Sequence, residues 1–144
     1  MRTMKFLDSS VFLHAYLKPR RKLTPREILV KKDAKSIVEK VDNGEESVLT
    51  TVVHVSEILN IIESRLGLRY SIYIASRIFS LKNIEIAQVR RIDYEKALAV
   101  AEHYNVSLND ALAYIKMKEY NVEEIYTFDK HFKNLPVKIA NNIY

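Results

Sequence analysis

Short apolar runs alternate with longer amphipathic stretches along the whole chain, and this alternation restricts the fold more than any other feature. The runs are Thr3–Leu7, Ser47–Thr51, Ile84–Val89, Glu124–Phe128 and Val137–Ala140, each rich in β-branched or apolar residues. Between them apolar residues recur every three or four positions, as in Val55, Ile58, Leu59, Ile62 and Leu66, which is the period of a helix with one buried face. Strands separated by helices cannot pair as hairpins; they pair in parallel through crossover connections. The expected fold class is therefore α/β, a three-layer sandwich with a central, mostly parallel sheet flanked by helices.

Local signals mark where the elements begin and end. Asp8-Ser9-Ser10 stops the first strand and supplies a helix N-cap, with Val11, Phe12, Ala15 and Tyr16 continuing at helical spacing until Pro19. Thr24-Pro25-Arg26-Glu27 combines a capping threonine, proline at the first helical position and glutamate three residues on. Asn43-Gly44 closes that helix, and Gly67 separates a helix ending at Leu66 from another over Leu68–Leu81. A helix is expected over about Asp93–Tyr104, and Ser107 or Asn109 can cap the next, which carries Asp110, Ala113, Tyr114 and Met117.

With 144 residues, 48% hydrophobic and 28% charged, the chain is expected to fold as one domain over residues 1–144. No cysteine is present, which excludes disulfides and thiolate metal sites. An apolar run of membrane-spanning length and a signal-peptide region are both missing, so a cytoplasmic location with no membrane contact is the expectation. Either Met1 or Met4 can serve as the start. The formal charge is +5, with basic residues gathered at Lys18, Arg20, Arg21, Lys22, Arg26, Lys31 and Lys32. Such a surface suits a polyanionic partner, although a solvated face has the same composition.

Four acids stand at positions that this topology brings to one rim. Asp8 and Asp129 end the first and fourth apolar runs, Glu57 lies early in the helix after the second, and Asp110 opens its helix. In open α/β sheets the carboxyl ends of the strands, where strand order reverses, form the ligand crevice. Carboxylates brought together repel and raise one another's pKa unless a hard divalent cation neutralises them. Taken singly, Asp8 and Asp110 are explained as helix-terminal acids and Asp129 as a turn former. Glu57 is harder to dismiss, because Val55, Ile58 and Leu59 surround it on a packed helix and a buried unpaired carboxylate is costly. Convergence of all four implies a metal centre for phosphoryl chemistry.

The segments Phe6-Leu7-Asp8-Ser9-Ser10-Val11-Phe12, Ser56-Glu57-Ile58-Leu59-Asn60, Leu108-Asn109-Asp110-Ala111-Leu112-Ala113 and Thr127-Phe128-Asp129-Lys130-His131-Phe132 together resemble the PIN domain, and within it the VapC-type toxins. The resemblance spans essentially the whole chain. It implies a Mg²⁺- or Mn²⁺-dependent endoribonuclease, with Asp8, Glu57, Asp110 and Asp129 as the metal-binding quartet. Thr127 matches a supporting hydroxyl, and Ser9 and Asn109 stand as outer partners. It further implies an RNA substrate, a homodimer and a small antitoxin protein as partners, with a base drawn from one of the carboxylates and either one ion or two in use.

Other readings compete. A PIN-type nuclease of RNA processing or DNA repair would share the quartet, and a non-enzymatic RNA- or protein-binding α/β module would use the acids structurally. His54, three residues before Glu57, reads as a helix-start residue with a satisfied ring nitrogen, and His14, His103 and His131 as scattered surface or core groups. Helical spacing assigns the tyrosines, Tyr70, Tyr73, Tyr114 and Tyr120 among them, to core or interface packing in preference to base stacking. Ile58, Ile61, Ile62, Ile72 and Ile74 exceed the needs of one core face, which suggests a partner surface.

Overall fold

In a computed structural model of the chain, which describes residues 3–143, the apolar runs form five short strands. They are β1 (Lys5–Leu7), β2 (Val48–Thr51), β3 (Ile84–Ala87), β4 (Glu124–Tyr126) and β5 (Lys138–Ile139). The helices are α1 (Ser9–Tyr16), α2 (Pro25–Asp42), α3 (Val52–Leu66), α4 (Leu68–Ser80), α5 (Arg91–Tyr104) and α6 (Leu108–Glu119). A 3-10 segment, Lys130–Asn134, which the spacing does not announce, joins β4 to β5. Met1, and with it the choice of start, lies outside the described residues.

The strand order is β3-β2-β1-β4-β5, and every neighbouring pair is parallel. After β1 the chain adds β2 and β3 on one side, then returns to add β4 and β5 on the other. The order thus reverses between β1 and β4, and a crevice opens at their carboxyl ends.

Alternate residues of each strand enter different cores. Phe6, Leu49, Ala87 and Ile125 pack with Ala113 and Met117 of α6 and with Phe132. Leu7, Val48, Ile84 and Tyr126 pack with Val11, Ile37, Ile58 and Ile74 from α1, α2, α3 and α4. Burial of both faces explains why the strands read as continuous apolar runs. The three layers expected from the sequence are therefore α1–α4, the sheet, and α5 with α6.

Several strands are shorter than their apolar runs. β4 ends at Tyr126 because side chains take the next three backbone donors: Thr127 N–H donates to Asn141 Oδ1 (3.1 Å), Phe128 N–H to Ser10 Oγ (2.9 Å) and Asp129 N–H to Thr127 Oγ1 (3.0 Å). Asp129 thus lies three residues beyond the strand it was expected to end, and begins the 3-10 segment.

Helix ends follow their local chemistry. Thr24 and Glu27 form a reciprocal capping box, with Pro25 in the first turn. Thr51 Oγ1 accepts the Val53 and His54 amides (3.1 Å each), so α3 starts directly from the end of β2. Ser107, not Asn109, caps α6. Lys116 and Asp93, both buried, pair at 3.2 Å and tie α6 to α5. Of the five isoleucines thought surplus, Ile58, Ile62 and Ile74 are core residues, whereas Ile72 is 57% exposed. Among the described residues no helix is long and apolar enough to cross a membrane.

Candidate metal centre

The register between β1 and β4 pairs Phe6 with Ile125 and Leu7 with Tyr126, so the next residues, Asp8 and Thr127, meet. Thr127, fully buried, donates its hydroxyl to Asp8 Oδ2 at 2.9 Å. Ser10 Oγ donates to the same oxygen at 2.7 Å, and the Asp8 amide donates to the Tyr126 carbonyl at 3.1 Å. Asp8 occupies the N-cap position of α1 with extended backbone (φ −75°, ψ 149°), yet its side chain makes no cap hydrogen bond. A simple capping role is therefore not what its carboxylate performs. The carboxylate is turned to the crevice and gripped there by two hydroxyls.

The other acids arrive from separate elements. Glu57 projects from the second turn of α3, next to β1 through β2, and accepts a hydrogen bond from Ser9 Oγ. Asp110 stands in the first turn of α6, its amide donating to Ser107 Oγ at 3.1 Å. Asp129 caps the 3-10 segment, its Oδ1 accepting the His131 amide at 2.9 Å. All four line one cavity of about 500 Å³, with Ser9, Ser10, Asn109 and Ser107 as further polar lining and Leu13, Ile61 and Leu108 as apolar walls.

Burial raises the Asp8 carboxyl above the usual carboxylate range, with Asp129 adding to the rise and His54, Ser10 and Thr127 opposing it. Burial together with Asp129 and Asp8 pushes Asp110 up to about 7. Asp110 Oδ2 is also buried without any hydrogen-bond partner. A desolvated carboxylate oxygen left bare beside two further carboxylates is a poor structural element and a good ligand for a hard cation. The donor set is rich in oxygen and lacks sulfur, which suits Mg²⁺ or Mn²⁺. The residues present fit such an ion.

His131 departs from its expected blandness. Ligand atoms of Asp110, Asp129 and His131 lie within 4.8 Å of one another, and His131 Nδ1 is 3.1 Å from Asp129 Oδ1. Asp8 and Glu57 share the cavity without joining that tighter set. His131 was legible only as the second residue after Asp129, and a 3-10 turn was needed to fold it back. His54 is 1% exposed, and its Nδ1 bonds Thr51 Oγ1 at 2.7 Å, as a satisfied ring requires. Burial lowers its pKa against the pull of Asp8 and Glu57, so the ring is held neutral behind the acids.

Thr127 is the hub of this network, bonded to Asp8, to the Asp129 amide and, at 3.4 Å, to Ser10. Thr127→Val keeps the shape and strands these groups. It should lower stability by about 1–3 kcal/mol and divalent-ion affinity by about 10–100-fold, measured by thermal unfolding and titration calorimetry. Unchanged values for both would remove Thr127 from the site.

The profile of the PIN domain family matches residues 5–138. None of the curated proteins matches the sequence. Among solved structures, the chain is similar to Mycobacterium tuberculosis VapC20, a sarcin–ricin loop cleaving toxin, at TM-score 0.71 and 18% identity over 94% of this chain and 98% of that one. It is also similar to a chain of a toxin–antitoxin complex from Klebsiella pneumoniae, at TM-score 0.62 and 13% identity over 94% and 95%. A third similar structure is PAE2754 from Pyrobaculum aerophilum, at 0.59 and 14% over 96% and 92%.

Proposed function

The chain belongs to the PIN domain family, and from that premise we propose that it is a Mg²⁺- or Mn²⁺-dependent endoribonuclease and the toxin of a type II toxin–antitoxin pair. The observation that carries this reading is the cavity at the strand-order reversal, lined by Asp8, Glu57, Asp110 and Asp129, with Asp110 Oδ2 bare and buried. Those four carboxylates would hold the ion. When bound, it supplies positive charge against the phosphate and acidifies the attacking water.

The chain's own residues supply position and proton acceptance. Ser10 and Thr127 fix the Asp8 carboxylate, Ser9 orients Glu57, and the His131 amide fixes Asp129. A carboxylate of this cluster, its basicity raised by burial and like charge, takes the proton from water as the water oxygen bonds to phosphorus; the bond from phosphorus to the leaving 3′-oxygen breaks, and that oxygen takes a proton from solvent. The apolar walls Leu13, Ile61 and Leu108 limit water around the reacting phosphate.

The likeness to a sarcin–ricin loop cleaving toxin supports RNA over DNA as substrate, and the likeness to a toxin–antitoxin complex supports a small antitoxin partner. Exposed Leu66, Leu68, Ile72 and Phe79 on α3 and α4 supply an apolar surface suited to a homodimer. The deciding experiment incubates the purified chain with a mixed RNA pool in Mn²⁺, in Mg²⁺ and in chelator. Cleavage with either ion and none in chelator is expected; equal cleavage in chelator, or none anywhere, overturns the reading. Sedimentation of the same preparation tests the dimer, and a monomer at micromolar concentration would rule it out.

A further inference from the structure

On the α1–α4 side of the sheet a second cavity, about 520 Å³, opens between the C-terminal end of α1, the middle of α2 and α4. Its chemistry differs from that of the acidic site. Lys18, Lys31 and Lys35 line it together with Tyr16, Tyr70 and Tyr73. Two carboxylates are present: Asp42, which is bonded to Arg77, and Glu39. Positive charge is in excess.

The tyrosines are ordered as a row. Tyr16 meets Tyr70 edge-to-face at 6.3 Å, and Tyr70 meets Tyr73 at 6.2 Å. Despite these contacts Tyr70 is 40% and Tyr73 58% exposed, so of the core or interface packing their spacing suggested these two do not take the core. Lys31 donates to the carbonyls of His14, Ala15 and Leu17 (3.1–3.2 Å), which seals the end of α1 and fixes one ammonium in the wall. Burial lowers its pKa, and Lys35 and Lys18 lower it further, so three ammonium groups stand close enough to repel. Lys18 and Lys35 make no ion pair among the described residues.

One short helix joins the two cavities. Ser9, Ser10 and Leu13 of α1 line the acidic site, whereas Ala15 and Tyr16 line the basic one. Ser9 and Tyr16 are about 10 Å apart at the rise of an α-helix. The acidic site and the row of tyrosines and lysines therefore share α1 as a common wall.

We propose that this cleft binds the single-stranded RNA flanking the scissile phosphate, with Tyr73 and Tyr70 stacking on a base and Lys18 and Lys35 contacting phosphates. The proposal rests on the nuclease reading above for its choice of polymer. Exposed aromatic faces beside unpaired ammonium groups match the stacking platforms of single-strand binders. An acidic peptide would use the lysines and leave the ring faces without a role.

The test measures binding of a short, fluorescein-labelled, mixed-sequence RNA to the full chain in chelator, by fluorescence anisotropy across a salt series. Tyr73→Ala should weaken binding by about ten-fold while Tyr73→Phe retains it. Lys18→Ala and Lys35→Ala should each reduce the slope of log affinity against log salt by about 0.7. In Mn²⁺, Tyr73→Ala should raise KM for this RNA with little change in kcat. Affinity within two-fold of wild type together with an unchanged salt slope in all three alanine variants would overturn the proposal, as would wild type failing to bind RNA. So would a polyglutamate peptide that binds through Lys18 and Lys35 while RNA binding ignores them. RNA that binds through the cleft and is never cleaved would sink the nuclease reading and leave only single-strand binding at this cleft. Cleavage indifferent to Tyr73 and both lysines would sink this one alone.

Discussion

Asp8→Asn is expected to reduce ion-dependent RNA cleavage by about a thousand-fold or more. That factor corresponds to about 4 kcal/mol of transition-state stabilisation, the several kcal/mol that charge neutralisation at a metal site supplies. The substitution is nearly isosteric, and an asparagine side chain can still bond the hydroxyls of Ser10 and Thr127 that hold Asp8. The fold should persist, because the change removes a buried negative charge and opens no gap. Unfolding temperature in chelator should equal or exceed that of wild type, which separates lost chemistry from lost structure. Cleavage within ten-fold of wild type in the folded variant would dismiss Asp8 as a ligand.

Stability without divalent ions should fall as pH rises from about 6.5 to 8, and an added ion should reverse the fall. The sign follows from Asp110, whose carboxyl is pushed up to about 7, and from Asp8, raised in the same direction. Over that window the unfolded chain has already lost the Asp110 proton, at an ordinary carboxylate value, while the folded chain still holds part of it. Folding therefore binds protons, and raising the pH disfavours it. His54 acts oppositely, since burial lowers its pKa and keeps it neutral in the folded state. Its effect is a loss of stability as pH falls below about 6.5, the unfolded histidine value, so the window above that pH isolates the carboxyls.

At pH 7.5, Mg²⁺ or Mn²⁺ at about a hundred times its dissociation constant should add about 2.7 kcal/mol. That is a rise in unfolding temperature of roughly 5–10 °C for a chain of this size. Asp110→Asn should flatten the pH dependence and remove most of the response to the ion. Calorimetric scans at several pH values, with ion and with chelator, read both effects. A wild-type chain that gains stability with pH across this window and ignores the ions would end the metal-centre reading.

Much of the architecture was readable because its causes are local. Strand-forming runs, the Thr24-Pro25-Arg26-Glu27 helix start and the Ser107 cap depend on residues a few positions apart, and each stands where its chemistry requires. The four acids were likewise visible, since Asp8 follows a strand run, Asp110 opens a helix, Asp129 follows the fourth run and Glu57 stands among apolar neighbours in the second turn of α3. The strand ends were less legible. Thr127 and Phe128 continue an apolar run and Asp129 follows it, yet hydrogen bonds donated by their amides to the side chains of Asn141, Ser10 and Thr127 itself draw them out of the ladder. Two of those three partners lie on other segments of the chain.

What the linear order of residues determined was the set of elements, their parallel pairing and the acids at their ends, because periodicity and capping act within a turn or two. Only the folded chain decided which groups meet. Placing β4 beside β1, with Leu7 opposite Tyr126, carries Thr127 to Asp8 across more than a hundred residues. The 3-10 turn carries His131 to Asp129, and the packing of α1, α2 and α4 sets the row of tyrosines beside the lysines. Strand order and register are chosen by burial of two whole faces at once, a property of the assembled core that no short window of sequence contains.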